Sequence, residues 1–108
     1  DIFVGGWFSD YNDPLDFLNV MKTGVYDSYG LYSNSGYDSL IDSLTGENDN
    51  AKRLEIYQKL EDLLVAQDCG VAPLYYSDKH YYYQNWVKDF YTSSFGASQE
   101  LYRASVQK

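Results

Sequence analysis

At 108 residues the chain is long enough for one small domain built around one core. Eight Lys and Arg against sixteen Asp and Glu give a formal net charge of −8, which argues against nucleic acid, whose phosphates demand basic patches. A single cysteine excludes an internal disulfide and any cysteine-built metal cluster.

Residues 2–8 open the chain with the apolar run Ile2-Phe3-Val4 bounded by Gly5 and Gly6, a pattern that predicts a strand. Asp13 then offers a cap, Pro14 suits a first helical position and Asp16 follows three residues after the cap. The spacing predicts a short helix over 14–22 with Leu15, Leu18 and Met21 or Val20 facing inward. Residues 23–36, rich in Gly, Ser, Tyr and Asn, read as a loop. A second helix over 37–44 follows from Tyr37, Leu40, Ile41 and Leu44 at i, i+3, i+4 and i+7, with Gly46 as its stop.

The third helix runs over about 50–66, capped by Asp49 or Asn48 and ended by Gly70, with Leu54, Tyr57, Leu60, Leu63 and Leu64 as its buried face. Residues 71–76 predict a strand carrying Pro73 near its start or at an edge. Residues 77–79 allow a bend before an extended 80–84, and a tail strand is expected around 101–106. The packing expected from this order is a layered α/β unit, with the third helix buried against a sheet that contains residues 2–7 and 71–76. Cys69, at a helix C-terminus where the dipole disfavours a thiolate, reads as a small core residue. Thirteen tyrosines supply broad apolar faces with polar tips; those at 81–83 read as one half-wet strand face.

The stretch Gly5-Gly6-Trp7-Phe8-Ser9-Asp10-Tyr11-Asn12-Asp13-Pro14 concentrates the chemistry. Glycines let another backbone approach, Trp7 and Phe8 offer flat surfaces, and Asp10 places a carboxylate just past the strand end. That combination suits holding a small ligand with a positive end, not breaking a bond. The oxygen-bearing side chains Asp10, Asn12, Asp13 and Asp16 do not make a calcium loop, because Pro14-Leu15 interrupts the alternation and no glutamate precedes Glu47. The lone His80 sits among tyrosines in an expected extended run, without a visible nucleophile partner. No cofactor, metal ligand set or catalytic residue is assigned, and the chain is not read as an enzyme.

Three blocks carry a family resemblance. GWFSDYNDPLDFLN resembles the "GW-x-x-DY-x-DP-x-x-FL" block of the extracellular solute-binding proteins of peptide ABC transporters, the oligopeptide- and dipeptide-binding family. GYDSLIDSL resembles that family's later "YD-x-LI" helix, and KRLEIYQKLEDLLVAQDCGVAPLYY is similar to the helix leading into its "h-x-P-h-YY" strand, h being apolar. The blocks occur in the family's order, so the similarity spans roughly residues 2–90, while the last eighteen or so match only loosely.

The resemblance implies the C-terminal part of a two-lobed clamshell of the periplasmic-binding-protein type, in the order strand–helix–helix–helix–strand–strand. Residues 1–78 would belong to one lobe and 79–108 would cross back to the other, the whole forming a single compact unit here. The crossing segment, without its partner lobe, has three outcomes open to it: folding back locally, pairing with a second copy, or disorder.

By the same resemblance Asp10 would pair with a peptide's terminal ammonium, while Gly6, Trp7 and Phe8 would lend backbone hydrogen bonds to the extended ligand. The implied partners are a peptide and, through the whole protein, the permease of an ABC transporter. The implied location is extracellular, on a cell-surface lipoprotein or in a periplasm. Competing readings are a receptor of the same scaffold for a sugar or metal chelate, a carbohydrate-binding module stacking sugars on Trp7 and Trp86, and a glycosidase lobe with Asp10 as acid.

Overall fold

The structure is a computed structural model that describes residues 2–25, 31–93, 95, 101 and 103–107. Its core is a cluster of short helices: α1 (Leu15–Asn19), α2 (Ser35–Ser43) and α3 (Asn50–Glu61), the last continuing as a wider turn over Asp62–Gln67. A two-residue antiparallel ladder joins β1 (Val87–Lys88) to β2 (Ser105–Val106), with Val87 opposite Val106 and Lys88 opposite Ser105. The expected tail strand thus exists, in a shorter form.

Side-chain caps start the helices. The Asp13 carboxylate accepts from the Leu15 N–H at 2.8 Å, as its place before Pro14 predicts. Asn34 begins α2 by accepting from the N–H groups of Gly36 and Tyr37 at 2.8 and 3.1 Å. Asp49 begins α3, accepting from Ala51 at 2.9 Å and Lys52 at 3.4 Å. Past α2 the chain turns through Gly46 at φ +82°, a left-handed conformation that glycine adopts without strain.

The core consists of Leu18 in α1 with Val20 and Met21 just after it, Tyr37 and Ile41 along α2 with Leu44 at its end, and Leu60 and Leu64 from the third helical segment. Tyr37 is fully buried and keeps its hydroxyl satisfied by donating to the Leu18 carbonyl at 2.8 Å. Leu60 is also fully buried.

Leu54 departs from the expected buried face: it is 57 % exposed. It lies six residues before Leu60, about 120° around the helix at 3.6 residues per turn. Because the cluster meets α3 along one narrow stripe, with Ile56, Tyr57 and Leu63 at its margin, Leu54 falls outside it.

The expected sheet over 2–7 and 71–76 is not formed: among the described residues neither run belongs to a strand. Ile2, Val4, Leu74, Tyr75 and Tyr76 stand largely exposed. A strand's backbone must be matched by a neighbour along its length, and no described run provides a ladder for either segment. The radius of gyration is 18.2 Å, against about 13 Å for a compact domain of this size. Among the described residues no helix is long and apolar enough to cross a membrane.

The end of the third helical segment also differs from expectation. Cys69 takes the left-handed position, at φ +50°, and is exposed rather than packed in the core. Gly70 matters for space instead: a Cβ there would lie 2.8 Å from the Tyr32 ring and 3.0 Å from Leu64. Tyr32 closes over this point, donating to Asp68 at 2.7 Å and meeting the Tyr37 ring edge-on at 5.3 Å.

One polar hub fastens α1 to α3. Arg53 donates to Asp13 at 2.7 Å and to the carbonyls of Leu44 and Glu47, while the Tyr57 hydroxyl donates to Asp13 at 2.6 Å. Burial pushes the Asp13 carboxyl up, but bonds from Tyr57 and Leu15 and the Arg53 charge outweigh it and leave the pKa below its usual value. Burial first, and then the bond to Asp13, raise Tyr57 to about 12.

A depressed carboxyl stabilises the fold above its unfolded pKa and loses that contribution as pH falls through the folded value. A raised phenol stabilises below its ordinary value of 10.0 and loses the contribution as pH rises through about 12. Urea midpoints measured against pH should therefore form a plateau across neutrality that falls on both the acid and the alkaline side. Asp13→Asn should flatten the acid limb; an unchanged acid limb would show that the hub does not govern it.

Candidate functional site

The segment between residue 6 and the start of α1 is shaped by one buried acid. Asp16, in the first turn of α1, is only 7 % exposed. Its Oδ2 accepts from the Trp7 indole Nε1–H at 2.9 Å and from the Asp10 backbone N–H at 2.9 Å. The helix thereby holds the loop at both ends of Trp7 to Asp10. Turn bonds complete it: Ser9 donates its hydroxyl to the Tyr11 carbonyl, and the Asp13 N–H donates to the same oxygen at 3.0 Å.

The four residues singled out in the sequence sit differently on this frame. Gly6 is exposed, with open space where a Cβ would stand. Trp7 is half-buried and packs against the helical core, so its ring anchors the loop. Phe8 is 60 % exposed, and the Lys79 ammonium lies 4.6 Å from its ring centroid, within cation–π range. Asp10 is exposed, and its carboxylate accepts no hydrogen bond from the described residues. Its backbone is fixed while its charge faces outward.

Electrostatics around the loop favour a cation. Burial first, and then the charges of Asp16, Asp13 and Asp10, hold the Tyr11 phenol above its ordinary value. Of these causes the three carboxylate charges would attract an ammonium, while burial opposes any charge. A cleft of about 380 Å³ lies beside the loop, lined by Phe8 and Ser9 together with Ser77, Asp78, Lys79, Tyr81, Thr92 and Ser93. Phe8 is the only one of the four that lines it. Among the described residues no group of three or more His, Cys, Asp or Glu is placed to hold a metal ion.

Two participants were not legible as such. Asp16 reads in sequence as part of the helix start, and its spacing does signal a side chain reaching backwards. It reaches Asp10 and Trp7 rather than the residue at the cap. Lys79 carried no signal, since its approach to Phe8 joins segments about seventy residues apart.

No family model matches the chain. The periplasmic oligopeptide-binding protein OppA of Salmonella typhimurium is 32% identical over 87 residues, covering 81% of this chain and 16% of that protein. The probable deoxycholate-binding periplasmic protein YgiS of Escherichia coli is 34% identical over 70 residues, covering 65% of this chain and 13% of that one. The substrate-binding domain of an oligopeptide ABC transporter from Bacillus anthracis str. Ames superposes with a TM-score of 0.87 at 30% identity, covering 96% of this chain and 20% of that chain.

The chain thus spans no more than about a fifth of the length of these relatives. Its few strands and exposed apolar runs are those of a piece of an α/β clamshell, and its relatives are binding and transport proteins. In sequence and in fold, the chain belongs with the oligopeptide- and dipeptide-binding proteins of ABC transporters, of which it forms a short part.

Proposed function

We propose that this segment holds the amino terminus of an extracellular peptide within a substrate-binding receptor that delivers it to an ABC permease. The observation that carries the reading is the state of Asp10: a backbone held by a buried acid, and an outward carboxylate that no described donor engages. An ammonium meeting that carboxylate makes a charge-assisted bond, and the backbone around Gly6 to Phe8 adds pairing that is indifferent to side chains. Main-chain pairing supplies grip and the acid sets where the peptide begins. The receptor would work outside the cytoplasmic membrane, in a periplasm or tethered to the cell surface by lipid. Residues 79–108 would cross to the opposing lobe.

A second reading keeps the scaffold and changes the solute, and the relative named as a probable deoxycholate binder favours it. Titration calorimetry on the whole receptor separates the two. A short peptide with a free amine should bind at least about tenfold, or ~1.4 kcal/mol, more tightly than its N-acetylated form. Equal affinities would favour a solute not held by an amine.

A further inference from the structure

We propose that Asp16 is a positioning residue for ligand capture, setting the place of the Asp10 carboxylate through its bond to the Asp10 backbone. The inference rests on the reading of Asp10 as the ammonium anchor and adds the element that makes the anchor work. One Asp16 oxygen accepts two bonds of 2.9 Å, from the Asp10 N–H and from the Trp7 indole. Of these partners Trp7 packs on the helical core, so the oxygen ties Asp10 to the rigid part of the molecule. Asp16 itself is the sole polar residue in the buried set among the described residues.

A buried carboxylate is retained against its desolvation only where its bonds are good, and here both bonds point at the loop rather than into the helix. Ordering that loop before the ligand arrives removes an entropic cost from binding. Asp10 is exposed and its carboxylate bonds none of the described residues, so the bond from its backbone N–H to Asp16 is the contact that fixes it.

The test uses the whole receptor and reads the ratio of affinities for one peptide with a free amine and with an acetylated amine. Asp16→Ala should reduce that ratio at least about tenfold, and Asp16→Asn, which retains an acceptor oxygen, should keep it within about threefold of the parent. A merely structural loss would weaken both peptides together and leave the ratio unchanged, which would overturn the proposal. Collapse of the ratio in Asp16→Asn as deep as in Asp16→Ala would also overturn it, because charge rather than position would then be the cause. If Asp16→Ala fails to fold, Asp16→Thr, whose hydroxyl is shorter than the carboxylate, carries the same expectation. Asp10→Ala run alongside separates the two levels. If it leaves the ratio intact, the ammonium reading falls; if it abolishes the ratio while Asp16→Ala does not, only the positioning role falls.

Discussion

Leu60→Ala should destabilise the fold by roughly 2–5 kcal/mol, the range for emptying a fully buried leucine site. Leu60 has no exposed surface, and it is one of only eight buried apolar side chains among the described residues. So small a core has few neighbours able to collapse into the cavity without losing their own contacts. Leu54→Ala provides the contrast within the same helix. At 57 % exposure its removal leaves the packing intact, so the change should stay within about 0.5 kcal/mol. Urea unfolding of both variants, followed by far-ultraviolet circular dichroism, measures the difference. Equal losses would mean that α3 presents a different face to the core.

The features legible in the sequence were those that depend on neighbours three or four residues away. Tyr37, Ile41 and Leu44 repeat at helical spacing, and all three are buried; Asp49 precedes the periodic run, and it caps α3. Helices satisfy their own backbones, so local pattern suffices to place them. The two apolar runs at 2–4 and 71–76 carry strand-like composition, but a strand forms only where a neighbour completes its hydrogen bonds. That neighbour is a matter of distant sequence, which composition cannot supply, and here the runs stay outside any described ladder.

Leu54 illustrates a second limit. It satisfied the apolar pattern, yet how wide a stripe is buried depends on what packs against the helix. Cys69 illustrates a third, since small apolar character does not reveal that the residue takes the left-handed position at a helix end. At the candidate site, the acid and aromatics between residues 7 and 10 stand out in the sequence as a group. The division of labour among them does not: Trp7 anchors and Asp16 holds, while Asp10 faces outward.

That division leads to the strongest expectation for binding. In the whole receptor, Asp10→Ala should weaken capture of a free-amine peptide by about 2–5 kcal/mol, because the ligand ammonium would be left desolvated without its counter-charge. Acetylating the peptide's amine removes the other member of the same pair and should cost a similar amount. Together the two changes should cost clearly less than their sum, since each deletes the one interaction that the other has already lost. Four calorimetric titrations complete the cycle: parent and variant, each with free and acetylated peptide. The coupling between Asp10 and the amine is read directly from their difference, free of any general loosening of the site that the substitution brings. Strict additivity would mean that the carboxylate and the amine never meet, and the outward charge of Asp10 would then serve something other than the peptide's first residue.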